Sequence, residues 1–353
     1  MAENHTSNSP REDCRIQLSK NNSYLHQGNY HWKYNYTCIY FFCSSPNNLQ
    51  WYCYLLAGMC LIALIFGFLG NMTVLMNYVY SKKSWRSSTI FIFNLALCDF
   101  FWIITVPISV FFSINKSILY SAPVFCQFKR ILFSINIYGS IFFLMLISFD
   151  RYLSSVHPLT SPRWWDKKKA TACTILIWLF IFVESAPDIY YMLTSEHAGQ
   201  IVACLDYLVE PLSFVVPITA SRMLLGFLIP GTVIFTCYFC SLRVLIHLKD
   251  QCHTRRVRKP LMLITATLLV FLISFSPYHI MMMVILFYRC NYLIHSGNVN
   301  LIFAYYEISQ IVCSISTCAD PIIFILANNK FKNHIKAIKC SCCRSNRVGN
   351  IVQ

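Results

Sequence analysis

ILFSINIYGSIFFLMLISF, residues 131–149, runs directly into Asp150-Arg151-Tyr152. The run approaches the ~20 apolar residues that a helix needs to cross a bilayer core. An arginine beside hydrocarbon costs roughly 2.5–3.5 kcal/mol on insertion scales, so a charge at such an edge is neutralised, snorkels to the headgroups, or serves a function. The plainer alternative is an Asp and an Arg that only mark a helix end. Within the run, Asn136, Tyr138, Gly139 and Ser140 are polar or small, which points to a helix buried among other helices.

The rest of the chain has the same character. It is 56% hydrophobic, 16% aromatic and 12% charged, against roughly 25% charged in a soluble domain. This excludes a water-soluble fold. Seven segments have crossing length: Tyr54–Tyr80, Thr89–Phe112, Pro123–Val156, Ala170–Leu193, Phe214–Leu245, Lys259–Tyr288 and Val299–Leu326. The expected fold is an all-α membrane protein, a seven-transmembrane helix bundle with a short amphipathic helix, Asn329–Ile338, after the seventh span. The organisation is an N-terminal tail over 1–51, the helix domain over 52–328 and a C-terminal tail over 329–353.

Charge gives the orientation. Lys82, Lys83 and Arg86 follow span one, Arg163 and Lys167–Lys169 span three, Lys249, Arg255, Arg256, Arg258 and Lys259 span five, and Lys330, Lys332, Lys336, Lys339 and Arg344 span seven. Positive residues mark the cytoplasmic side. The net charge of +15 is therefore an orientation signal and an attraction to anionic membrane lipids. It is no nucleic-acid footprint, because the basic residues are divided among membrane loops. On the opposite side, Asn4, Asn21, Asn35 and Asn115 fit the N-glycosylation pattern. Asn71 fits it too but lies inside span one, where it reads as a buried polar group. The start, Met1–Glu12, lacks the apolar core of a cleavable signal, so span one is expected to direct insertion.

Cysteines divide by compartment. Cys126 at the outer mouth of span three and Cys204 in the loop between spans four and five share an oxidising space, and a bridge there would pin that loop over the bundle. A second bridge from the N-terminal tail to Cys290 is an expectation with its partner left open: Cys43 is favoured over Cys14, Cys38 and Cys53, and a Cys14–Cys38 bridge is then also open. On the inside, Cys340, Cys342 and Cys343 follow the amphipathic stretch. They suit reversible acylation better than zinc, since no partner pair has finger spacing.

Taken in order, Asn71, Asn94-Leu95-Ala96-Leu97-Cys98-Asp99, Cys126, Asp150-Arg151-Tyr152, Trp178, Pro230, Tyr238, Phe275-Ser276-Pro277-Tyr278 and Asp320-Pro321-Ile322-Ile323-Phe324 resemble the rhodopsin-like G protein-coupled receptors over residues 52–343. Lys82–Phe93, Gly139–Leu159, Gly226–Pro230 and Lys259–His279 resemble its branch of succinate, hydroxycarboxylic-acid and purinergic-type receptors. A retinal opsin is excluded, because a Schiff base needs a lysine and Val299–Leu326 has none.

The resemblance implies roles. Arg151 pairs with Asp150 in the resting receptor and swings toward Tyr238 and the G protein when span six moves outward, with Pro277 as the hinge and Tyr152, Asp320, Pro321 and Phe324 completing the switch. No cofactor is expected; Asp99, Ser140 and Asp320 fall where the family holds an allosteric sodium ion, and the alternative is a proton shared between two close carboxylates. No other metal is implied. Three departures stand out: Phe275 for a usual tryptophan, Asp320 for a usual asparagine, and Phe324 for a usual tyrosine.

For the ligand, Arg130 keeps the span-three basic position of the carboxylate receptors, while Met282, Gln310 and Ile137 replace their other arginines. Arg222 lies about eight residues before Pro230, roughly 12 Å toward the outside at 1.5 Å per residue. With Arg130 it is expected to clamp an anion in two places; the alternative pairs it with Glu184 or Asp188 of span four. Tyr138, Tyr278, His279, Glu307 and Gln310 are expected to line the cavity, with Met281–Met283 as soft wall. The expectation is a plasma-membrane receptor with its N-terminus outside and its C-terminus inside. It has no catalytic site, binds an extracellular small anion (a carboxylate or a nucleotide-like molecule) and acts on a heterotrimeric G protein. A peptide, for which the aromatic tail Tyr30–Phe42 speaks, or a lipid mediator is the alternative within the fold. A transporter would show internal repeats, and none is evident.

Overall fold

The computed structural model describes residues 58–80, 86–108, 123–158, 165–194, 211–247, 254–294 and 299–327. The N-terminal tail with its glycosylation sites and Cys14, Cys38, Cys43 and Cys53 lies outside the described residues, as do Asn115, Cys204 and everything after residue 327, including the expected amphipathic helix and Cys340, Cys342 and Cys343.

Among the described residues the chain forms seven helices: α1 (Gly58–Tyr80), α2 (Ser87–Ile108), α3 (Pro123–Val156), α4 (Lys167–Thr194), α5 (212–247), α6 (254–290) and α7 (Val299–Ala327). The first six include apolar stretches long enough to cross a membrane. The seventh spans 29 residues, with Glu307, Gln310, Ser314, Ser316, Thr317 and Asp320 as polar positions along it.

The helix read first from the sequence is the axis of the bundle. In α3, 72% of the apolar window is buried, against 22% in α1. Ile137, Ile141, Phe143, Leu144 and Ile147 are sealed from solvent and pack with Phe91, Leu95 and Cys98 of α2 and with Phe271 and Phe275 of α6. Leu61, Phe66, Leu69 and Val79 of α1 and Leu176, Phe182 and Val183 of α4 instead face outward, as lipid-facing positions do.

Polar side chains tie the helices together, the expected form of attachment where hydrocarbon offers no hydrophobic drive between helices. Asn71 is buried and donates to the carbonyls of Gly67 (3.0 Å) and Thr317 (2.8 Å), joining α1 to α7. Trp102 donates to Ser314 at 2.8 Å, joining α2 to α7, and Trp178 to Asn94 at 2.9 Å, joining α4 to α2. Ser148 and Thr267, both fully buried, meet at 2.8 Å between α3 and α6. Thr267 gives its proton to the Ile264 carbonyl (2.8 Å), so Ser148 is the donor across the gap.

Three helices contain a wide turn: Ala63–Gly67 in α1, Arg222–Leu228 in α5 and Phe271–Phe275 in α6 are π-helical. Such turns concentrate at functional sites. In α6 the wide turn ends at Phe275, and Pro277 is the second residue of the α-helical stretch that follows from Ser276. The expected proline bend is thus a change of helix type, which leaves the missing proline N–H at a segment start where it costs little. In α5 the wide turn carries Gly226 against the ring of Tyr138, where a Cβ would come within 2.6 Å of the ring.

Candidate functional site

The polar groups of the bundle form three levels, outer, middle and inner. At the outer level, the wide turn of α5 begins at Arg222 and turns its side chain inward, where it is only 4% exposed. A bare guanidinium there would be prohibitive. Its Nε donates to Glu184, and its Nη2 to Asp188 at 2.5 Å. Arg130 of α3 donates to the other Asp188 oxygen. Asp188 therefore bridges both arginines, and α3, α4 and α5 share one buried network of two cations and two anions. The two arginines expected to clamp an anion are brought together, and the carboxylates weighed as their alternative partners occupy them.

Next to this network is a cavity of about 10 Å³, room for one water-sized sphere. Tyr138, Thr219, Arg222, Met223, Tyr278, His279, Met282 and Met283 line it. Arg222 lies 5.9 Å from the Tyr138 ring centroid, in cation–π range. His279 donates through Nδ1 to the Phe275 carbonyl at 2.9 Å, and its ring stacks on Phe227 at 4.3 Å. Phe227 also stacks on Phe271 at 5.0 Å, so the wide turns of α5 and α6 meet face to face. Of the residues expected in the cavity, Tyr138, Tyr278, His279 and Arg222 are walls; Glu307, Gln310 and Met281 are not among them. The Gln310 carbonyl accepts from Ser314 at 3.1 Å. The walls come from α3, α5 and α6, and α7, which carries Glu307 and Gln310, supplies none of them.

At the middle level Asp99 is fully buried and accepts from Asn136 (3.0 Å) and Ser140 (3.4 Å). Asp320 and Asn71 adjoin it. Asp99 Oδ2, both Asp320 oxygens and the side-chain carbonyl oxygens of Asn71 and Asn136 have no hydrogen-bond partner. Facing carboxylates with further hard oxygens beside them fit a small cation such as sodium, or a proton shared between Asp99 and Asp320.

The inner level is the end of the stretch quoted first. Asp150 is 7% exposed and takes three donors: Arg151 at 2.7 Å, Ser88 of α2 at 2.6 Å and the Trp165 indole at 3.0 Å. The Trp165 ring packs edge-on against Phe149, with centroids 5.2 Å apart. Tyr152 meets His157 at 3.4 Å, and the Tyr238 ring lies against Phe239 at 5.6 Å. Phe324 falls within α7, and its side chain lies outside the described residues, as does that of Cys126. Cys290 is exposed at the end of α6, and Cys43, its expected partner, is outside the described residues.

Ser88 and Trp165 at the inner level, and Asn136 in the middle, were not among the sequence candidates for their sites. Asn136 had a signal in its polarity within an apolar run. Trp165 had only its place before Lys167–Lys169, where a tryptophan reads as an interfacial anchor.

Comparison with known proteins gives these levels a context. The family profile of the 7 transmembrane receptor (rhodopsin family) matches residues 70–324. The chain is similar to purinoceptor 1 of Rattus norvegicus, with 32% identity over 289 residues, 80% of this chain and 76% of that protein. It is similar to purinoceptor 1 of Gallus gallus, with 31% identity covering 83% and 82%. A more distant likeness, 26% identity covering 82% and 80%, is to atypical chemokine receptor 3 of Rattus norvegicus.

Proposed function

Because the chain belongs to the rhodopsin family of seven-transmembrane receptors, signalling proteins rather than enzymes, we propose that it binds an extracellular ligand and promotes nucleotide exchange on a heterotrimeric G protein. The observation that carries this reading is Arg151 held by an Asp150 that is itself fixed by Ser88 and Trp165. Such a pair keeps a cation at the cytoplasmic edge while leaving it one bond from release. α7 makes the seventh crossing, the N-terminus is extracellular and the C-terminus cytoplasmic, and the protein resides in the plasma membrane.

Activation moves α6 outward. Ser148 lets go of Thr267, the wide turn at Phe271–Phe275 and the adjacent Pro277 absorb the bend, and Arg151 turns toward Tyr238 and the G protein. Asp99, Asp320, Ser140 and Asn136 would hold a sodium ion, whose charge would favour the resting arrangement of α2, α3 and α7. Cys126–Cys204 and Cys43–Cys290 bridges brace the outer face, glycans stand on Asn4, Asn21, Asn35 and Asn115, and acyl chains on Cys340, Cys342 and Cys343 anchor the tail.

The ligand is a small anion, nucleotide-like or a carboxylate. Similarity to receptors named purinoceptors and the two guanidiniums of the outer level support this. The likeness to a chemokine receptor supports a peptide as the second reading. G-protein dissociation in transfected cells, screened against nucleotides, small carboxylates, lipid acids and peptides, tests both. A response confined to anions upholds the first, and one confined to peptides replaces it.

A further inference from the structure

The outer level has a feature that an open anion clamp would lack. Asp188 presents one carboxylate oxygen to Arg130 and the other to Arg222 (2.5 Å), which is how a bound carboxylate would bridge the pair. Its side chain is 1% exposed, and that of Arg222 4%. Glu184 takes the Nε of Arg222 and Asp188 the neighbouring Nη2. Arg130, with a side chain 13% exposed, is the more open partner and marks the approach from outside.

We propose that Asp188 is a tethered carboxylate ligand: it fills the anion site built by Arg130 and Arg222, and a free anion enters only by displacing it. This deepens the anionic-ligand reading and rests on it for the identity of the site. A tethered group competes at an effective concentration in the millimolar range or above. A monocarboxylate has the same chemistry without the tether, so it loses that contest at ordinary concentrations. The ligand that wins carries at least two anionic groups, as an oligophosphate or a dicarboxylate does, and thereby engages both guanidiniums with more charge than Asp188 offers. Displaced Asp188 must rotate toward water, because a buried carboxylate stripped of its cations is costly. Ligand entry is thus coupled to a shift of α4 against α3 and α5.

Chemical rescue tests the tether. In the full-length receptor in lipid nanodiscs, Asp188→Ala leaves a space for one small carboxylate between the two arginines. Sodium acetate, exchanged for sodium chloride at constant ionic strength and present at several times its Kd, should raise the melting temperature of this variant by about 2–4 °C. Acetamide, of the same shape without charge, should not. Wild type and Asp188→Asn, whose sites are filled, should not respond to acetate, and adding Arg130→Ala to Asp188→Ala should abolish the effect. The proposal is overturned if acetate shifts Asp188→Ala no more than wild type. If Asp188→Ala cannot be purified folded, its cell-surface level with and without acetate in the medium decides: an acetate-dependent rise upholds the tether and a flat response overturns it. A wild type that answers a dicarboxylate or oligophosphate while Asp188→Ala ignores acetate would sink the tether and leave the anionic-ligand reading standing. Acetate rescue without any anionic agonist would do the reverse.

Discussion

Trp165 reaches Asp150 through a single indole N–H at 3.0 Å, and that bond is separable from the packing of its ring. A hydrogen bond to a charged group contributes about 1.5–3 kcal/mol. Trp165→Phe keeps most of the ring and removes the donor, so basal G-protein nucleotide exchange should rise by roughly ten- to a hundredfold at unchanged surface level. Ser88→Ala should act in the same direction. Exchange measured on membranes with matched receptor density checks both. At the middle level, sodium should lower basal exchange in the wild type, and Asp99→Asn should remove that dependence; a sodium-insensitive wild type would favour a shared proton between Asp99 and Asp320. Residue identity made Asp99, Asp150 and Arg151 legible, because a charge in an apolar run is conspicuous. The partner of Arg222 was legible only as an alternative: Glu184 and Asp188 were visible, but whether a ligand or α4 occupies a guanidinium depends on helix rotation, which residue types do not encode.

The helices themselves were legible from apolar run length, and their wide turns were not. A π turn shifts the helix face by one residue without changing composition, so Arg222–Leu228 and Phe271–Phe275 read as ordinary apolar helix. Pro277 announced a break, yet not its form. The turns bring Phe227, Phe271 and His279 into one stack and seat Gly226 on Tyr138. Gly226→Ala should therefore destabilise the receptor by about 1–3 kcal/mol, the usual range for overpacking, seen as a lower melting temperature. Tyr138→Ala in the same chain should recover part of it. Thr267→Val removes the acceptor that Ser148 uses across the α3–α6 gap. It should raise basal exchange without lowering expression, because the isosteric side chain keeps the packing.

For the whole molecule, composition established the membrane setting, and the motifs in order established the family. Orientation rests on the distribution of lysine and arginine among loops. The proposed Cys126–Cys204 bridge would join a helix end to a loop far along the chain: Cys126→Ala or Cys204→Ala should each abolish surface expression or ligand response, and normal signalling by both would refute the pairing. The cavity was only partly legible, since Glu307 and Gln310 have the right chemistry on a helix that contributes no wall to it.

The central claim is that release of Arg151 from Asp150 turns this bundle into an exchange factor, and no agonist is needed to test it. Guanine-nucleotide exchange should be measured on heterotrimers of each Gα class with nanodiscs holding wild type, Asp150→Asn or Arg151→Ala at equal density. On at least one heterotrimer, Asp150→Asn should exceed wild type by severalfold, and Arg151→Ala should fall to the rate of empty nanodiscs. Equal rates for all three receptors and for empty nanodiscs, on every heterotrimer, would contradict the account.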